Sequence, residues 1–469
     1  MLRIPFPGNW VEQVNGFETV GILGRKRSSE SREGQNTSIC NPEYLYQRMG
    51  RDLLRCYVSS VGQIWTSEDN WKGKAEDMRI AMFYHSLVSD WNNGNAHFLR
   101  GVVTELLNLG HKPLVYEPAD GWSLENLKRN YGSTPLSEFR RYYHRLRSFP
   151  YKSEELDLDS ILEDVDLVIV HEWNEPALIR RLGRHRLRSR RYKLLFHDTH
   201  HRAYSHPQEI GAFELENYDG VLAYGETIQR IYLEHGWNRR VWTWHEAADS
   251  NVFVPYNDVE KNGDVVWIGN WGDEERTREY IEFFLEPVRS LGLHAMAYGV
   301  RYPREGLRML KQAGIEYGGW VANYKVPEVY SRYRLTLHIP RRPYVEALPG
   351  IPTIRPFEAL ACGIPLISSP WEDSEGLFSP GEDFLIARNG REMKEYVRLL
   401  LRRPEIGRRL SENGRRKILQ RHTCAHRVQE LLAIYEELGV PACSSGKQEK
   451  NGYRQLLKPV SNIRRKRNS

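Results

Sequence analysis

The stretch RIAMFYHSLVSDWNNGNAHFLRGVVTELLNLGHKPLVYEP (79–118) decides how the rest of the chain is read. RIAMFY (79–84) is a short apolar run of the kind that fills a buried strand. The polar loop HSLVSDWNNGN follows. AHFLRGVVTELLNLG (96–110) then places apolar residues at helical spacing until Gly110 stops it, and KPLVYEP supplies a second strand. Strand, loop, helix and strand in that order make one crossover unit of a parallel sheet.

Outward from this unit the pattern recurs. DLVIVHE (166–172), KLLFHD (193–198) and DGVLAYG (219–225) read as buried strands, with PALIRRLGRHRL and ETIQRIYLEHG as helices between them. VFVPYNDVEKNG (252–263) is polar, carries Pro255 and Gly263, and reads as a linker. A second series begins with DVVWIGN (264–270) and the helix EERTREYIEFFLEPVRSLG. The strands HAMAYG (294–299), GIEYGGW (314–320), RLTLHIP (334–340) and GIPLISSP (363–370) follow, and three helical segments close the chain. The predicted fold class is α/β, two doubly wound Rossmann-like domains facing each other across a cleft, which is where ligands bind in such sheets. The predicted boundaries are an N-terminal extension over 1–75, domains over 76–255 and 256–425, a helix over 426–440 that crosses back to the first domain, and a basic disordered tail over 441–469. In the extension, 24–38 reads as a loop and 44–65 as a helix.

Charge and cysteine usage narrow the function classes. The net charge is +6, but residues from 440 onward hold eight Lys/Arg and one acid, so residues 1–439 sum to about −1. A nucleic-acid binder is therefore disfavoured, and peripheral contact with anionic surfaces falls to the tail. Five cysteines without a CxxC pair argue against a disulfide scaffold or a cysteine zinc site. With no apolar run near the roughly 18 residues of a membrane span and no secretory leader, a cytoplasmic setting is expected.

In a doubly wound sheet the loops after the strands present polar groups to a ligand. Four such loops stand out: His85–Asn95, with Gly94 and Asn95 at a helix start; His171–Asn174, with Trp173; His197–His201, with His200; and Gly269–Gly272, with Asn270. Trp91, Trp173 and Trp271 lie in these loops, where an aromatic face suits a sugar. HDTHHRAYSH (197–206) invites a zinc reading, but adjacent His200 and His201 without an HExxH make a metal site unexpected. The pairs Asp157/Asp159 and Asp164/Asp166 fall before a strand, at the wrong end for the cleft.

IRPFEALACGIPLISSP (354–370) is the most specific string. Arg355 and Glu358 sit three apart on one helical face. A carboxylate there suits the two hydroxyls of a ribose, and the alternative is that Glu358 caps its own helix.

FEALACGIPLI resembles the nucleotide-sugar signature of GT-B-fold glycosyltransferases, the family-4-like retaining enzymes and especially the CgeB-like spore-maturation group. HEAADSNVFVP (245–255), VWIGNWGDEER (266–276), SPGEDFLIA and VHEWNEPALI (170–179) are similar to further segments of that family, in its order. The resemblance implies a glycosyltransferase, hexosyltransferase-like, that moves a sugar from a UDP- or GDP-sugar to a hydroxyl acceptor, with no cofactor or metal required. It implies that Glu358 holds the ribose and that Gly269, Asn270, Gly272 and Gly363 lie near the diphosphate. It further implies that Arg276 and Arg355 neutralise the diphosphate, and that His171 and His200 face the transferring sugar. His85, Gly94, Asn95 and Trp173 fall on the acceptor side. Many family members carry a second Glu eight residues before the ribose Glu, where this chain has Gly350. That departure keeps open an inactive GT-B module binding glycan or a partner, beside a GT-B-fold sugar-nucleotide epimerase.

Overall fold

The computed structural model describes residues 77–439. The readings of 24–38, 44–65 and the basic tail lie outside the described residues.

Apolar runs form the strands because both faces of each sheet are covered by helices. The first sheet comprises β1 (Arg79–Phe83), β2 (Lys112–Pro118), β3 (Ser148–Tyr151), β4 (Leu167–His171), β5 (Lys193–Asp198), β6 (Gly220–Ala223) and β7 (Val241–Thr243). Its order is β3-β2-β1-β4-β5-β6-β7, and its pairings are parallel. The second sheet holds β8 (Gly263–Ile268), β9 (Ala295–Tyr298), β10 (Ile315–Gly319), β11 (Tyr333–His338), β12 (Leu366–Ser368) and β13 (Leu385–Ile386). Its order is β10-β9-β8-β11-β12-β13, again parallel. Each order reverses once, between β1 and β4 and between β8 and β11. The loops after those four strands diverge at the switch point and open a crevice.

Four further elements position that crevice. Helix α1 (Ala96–Asn108) follows the β1 loop, α2 (Trp122–Tyr131) and α3 (Thr134–Tyr142) occupy the long segment before β3, and α4 (Ile354–Ala361) precedes β12. The last helix, α5 (Cys424–Gly439), packs on α1 of the first lobe. Gly101 permits that crossing, since a Cβ there would stand 2.4 Å from Cys424 Sγ.

The helix expected over EERTREYIEFFLEPVRSLG is interrupted. Thr277–Tyr280 is α-helical, Ile281–Leu285 winds as a π-helix, and Glu286–Leu291 resumes the α form. Pro287 has no N–H for the usual i→i−4 bond, and a wider turn just before it accommodates the loss. Among the described residues no helix is long and apolar enough to cross a membrane.

Candidate functional site

The loops after β1, β4 and β5 converge on a cluster of imidazoles. His171, at the end of β4, is bonded through Nε2 to Thr199 Oγ1 at 2.9 Å. It stacks between Tyr84 and His85, with ring centroids 4.8 and 5.4 Å away. Trp173 lies over His85 at 6.4 Å and against His200 at 5.2 Å, while the Arg202 guanidinium sits 4.2 Å above its ring. His85, His171, Trp173 and His200 therefore form one patch, although three loops supply them. Burial, reinforced by neighbouring imidazoles, pushes His171 and His200 well below the ordinary histidine value, so both rings are neutral near pH 7.

Glu172 organises this patch, although only His171 and Trp173 of its loop are singled out from the sequence as site residues. Its fully buried carboxylate accepts from Thr199 N at 2.9 Å and from Arg202 Nη2 at 3.0 Å, tying the β4 loop to the β5 loop. Its place beside His171 was visible, but its partners are about thirty residues away and left no local signal.

The second lobe contributes guanidinium groups. The turn Gly269–Gly272 closes with Gly272 at φ +99. Arg276 reaches back to Asn270 O and Oδ1, both at 2.8 Å, and to Ile339 O at 2.9 Å. Burial first, then Arg341 and Arg355 nearby, bring the Arg276 guanidinium down to about 10. It remains a cation at neutral pH. Arg341, which the sequence reading did not single out, is bonded to Glu275 at 2.6 Å and lies 3.4 Å from Asp273. Arg276, Arg341 and, from the first turn of α4, Arg355 thus gather at the carboxyl end of the second sheet.

Across the crevice the two lobes touch directly. Asn270 Nδ2 donates to Asn92 Oδ1 at 2.9 Å, and Trp320 Nε1 donates to Asp90 Oδ1 at 3.0 Å. Gly94 lies against the start of α4, where a Cβ would come within 2.9 Å of Ile354 Cγ2. Its small size serves the approach of the lobes. The Asn95 side chain makes no cap of α1, and the Asn95 backbone N–H donates to Asn93 Oδ1.

Several of the expected site residues already have partners within the protein. Glu358 does not offer a free pair of oxygens. Oε1 is bonded to His97 Nδ1 from the first lobe at 2.8 Å, Oε2 to Arg355, and the side chain is fully buried. Gly363 stands at the other end of α4 from Arg355. It follows the C-terminal end of α4 at φ +67, with its N–H bonded to Leu360 O, and needs to be glycine for that left-handed turn. Trp271 and Trp91 are not open platforms. Trp271 is packed on Tyr280 and Tyr302, and Trp91 on Trp122, because the loops fold back onto their own lobes. Trp173, 47% exposed, is the one of the three that faces outward.

Residues 276–433 match a family model described as glycosyl transferase-like. No curated protein matches the chain. Among solved structures, a glycosyltransferase from Rickettsia africae superimposes with a TM-score of 0.54 at 14% identity, over 77% of this chain and 99% of that one. Sucrose-phosphate synthase from Thermosynechococcus elongatus gives 0.55 at 15% identity, over 77% and 99%. Anabaena HepE in complex with UDP-glucose gives 0.56 at 13% identity, over 77% and 100%. The two facing parallel sheets are thus a GT-B fold, and the second lobe carries a glycosyl transferase-like segment.

Proposed function

We propose that this glycosyl transferase-like chain moves a hexosyl group from a nucleoside diphosphate sugar, a UDP- or GDP-sugar, to a hydroxyl acceptor. The observation that carries the reading is the gathering of Arg276, Arg341 and Arg355, the last bonded to the buried Glu358, at the carboxyl end of the second sheet. A departing nucleoside diphosphate gathers negative charge as the anomeric carbon becomes cation-like, and fixed cations in a water-poor crevice stabilise that charge strongly. With three guanidinium groups in that role, a divalent ion is not required. Glu358 receives the ribose hydroxyls in exchange for His97 when the lobes part, and closure then excludes water from the donor.

His171 and His200, neutral and beside exposed Trp173, suit the acceptor and the transferring sugar. The FEALACGIPLI string supports a CgeB-like place within the family-4-like enzymes, and retention of configuration goes with that resemblance. A cytoplasmic setting suits Cys362 and Cys424, both free thiols. The occupation of both Glu358 oxygens also favours a second reading, an inactive GT-B module held shut.

Calorimetry with UDP, GDP and ADP, repeated in EDTA and on Glu358→Ala, separates the readings. A transferase binds one diphosphate in EDTA and loses it in the variant. Failure of every nucleotide to bind the wild type removes the transferase reading and leaves the inactive module.

A further inference from the structure

The first sheet is parallel throughout, so its carboxyl ends face the crevice and its amino ends form the opposite, basal face. Basic residues open most of that row. Arg79 begins β1, Lys112 begins β2, Arg147 precedes β3, Lys193 begins β5, and Arg239 and Arg240 precede β7. From the helix Pro176–Arg188 into β5, residues 176–197 hold eight Lys/Arg and no acid. The near-zero charge of residues 1–439 conceals this local excess.

The excess is only partly compensated within the lobe. Asp219 is paired with Arg186 at 2.8 Å, Asp164 with Arg79 at 3.8 Å and Asp77 with Lys112 at 4.0 Å. Arg147, Arg188, Arg190, Arg191, Arg239 and Arg240 are exposed, and their guanidinium groups have no partner among the described residues. Glu163, Glu216 and Glu234 stand exposed near them, half as many. Arg188 suits the C-terminal end of its helix, but Arg190, Arg191, Arg239 and Arg240 lie outside any helix. They are close together. Arg240 O accepts from Val221 N at 2.9 Å, and Asn238 holds Leu215 O and Tyr218 O at 2.7 and 3.1 Å. The turns before β5, β6 and β7 therefore lie side by side, about 10 Å across two strand spacings. Two apolar side chains stand among these cations: Leu187, 60% exposed, between Arg186 and Arg188, and Phe149, 42% exposed, two residues beyond Arg147.

We propose that the basal face of the first lobe docks on an anionic lipid bilayer, with Leu187 and Phe149 entering the headgroup layer and the crevice held away from it. Seven strand ends make a face nearly 30 Å wide at about 4.8 Å each. Cations on it are attracted to anionic headgroups within a Debye length, and apolar side chains among them add their own partition into the interface. A single strand of nucleic acid is instead gripped by aromatic rings among the cations, and the corner formed by Leu187, Arg190, Arg191, Arg239 and Arg240 includes no aromatic side chain. The contact is independent of the chemistry in the crevice. The basic tail approaches the same lipid by charge alone, so the two contributions must be separated.

Cosedimentation of the full chain with vesicles separates them. In a full-length background carrying Arg464→Ser, Arg465→Ser, Lys466→Ser and Arg467→Ser, the protein binds phosphatidylcholine vesicles that contain phosphatidylglycerol and does not bind phosphatidylcholine alone. Adding Arg190→Ser and Arg191→Ser weakens the binding about thirtyfold, about fivefold for each cation. Leu187→Ser weakens it severalfold, and this loss persists as salt is raised. Melting temperatures stay at the wild-type value, since the three side chains are exposed. Loss of all vesicle binding in the tail-substituted background overturns the proposal, as does an affinity unchanged by Arg190→Ser with Arg191→Ser. Tighter binding to a DNA duplex than to the vesicles, unaffected by Leu187→Ser, also overturns it and makes the face a nucleic-acid surface.

Discussion

His97 Nδ1 stands 2.8 Å from Glu358 Oε1, joining two residues 261 apart in the chain and on opposite lobes, and neither side chain reaches solvent. Burial alone would raise the Glu358 carboxyl, but Arg355 and His97 outweigh it and hold it below the ordinary carboxylate value. The same oxygen that meets His97 is one a ribose would need. The pair is thus both a clasp between the lobes and a competitor of the nucleotide.

Those two roles predict opposite signs for one substitution. His97→Ala removes one partner of a buried pair and destabilises the protein by about 3 kcal/mol, read from urea unfolding. Its affinity for UDP or GDP, read by calorimetry, equals or exceeds that of wild type, because the ribose no longer displaces an imidazole. A variant that is less stable and also binds the diphosphate tenfold more weakly would make His97 a support for the nucleotide site.

Gly350→Ala tests the crowding around Glu375. An alanine must adopt φ +91 and push aside a side chain held by two bonds. The expected loss is about 2–3 kcal/mol, combining strain at the left-handed backbone with overpacking. Gly363→Ala, whose Cβ would meet nothing closer than 3.5 Å, suffers only the backbone strain, about 1 kcal/mol. Equal melting temperatures for the two variants would remove the steric argument at position 350.

Much of the architecture was legible because a fully buried strand must be apolar along its length. RIAMF, LVIVH and the central strands of the second sheet advertise themselves in this way. The edge strands did not: SFPY carries a proline, VWT has three residues and LI two, too short for any period. The site loops were legible as strand ends, and so were Arg276 and Arg355. What escaped were meetings between distant segments. His97, which crosses to Glu358, looks like one more residue on the face of α1, and Arg341, which meets Glu275 within the second lobe, like one of several surface arginines. Gly363 is ambiguous in sequence because a glycine beside a small-residue helix suits both a phosphate contact and a left-handed helix end, and the helix end alone already requires glycine there.

Arg276 carries a structural and an electrostatic task at once. Arg276→Ala loses three hydrogen bonds that hold the Gly269–Gly272 turn and one of three clustered cations. Affinity for the nucleoside diphosphate falls about thirtyfold, close to 2 kcal/mol, and becomes less sensitive to salt. Arg276→Lys keeps the charge but cannot reach Asn270 and Ile339 together, so it restores the salt dependence without the full affinity. If lysine restores everything, the turn does not depend on the guanidinium.

His85 makes the neutrality of the imidazole patch measurable. Burial first, with Arg202 adding to it, brings this ring down to about 4, against about 6.5 in an unfolded chain. Between those values the unfolded chain binds a proton that the folded protein refuses, so the contribution of His85 to stability is complete above pH 6.5 and is lost as the pH falls towards 4. The stability difference between wild type and His85→Gln is therefore constant from pH 8 to 6.5 and shrinks by about 2 kcal/mol between pH 6.5 and 4, allowing for water at the half-buried ring. Urea unfolding of both proteins at pH 7.5, 5.5 and 4.5 gives the difference directly. A difference that stays flat across that range means the ring ionises in the folded protein as it does in water, and the patch then faces a substrate as a cation below pH 6.5.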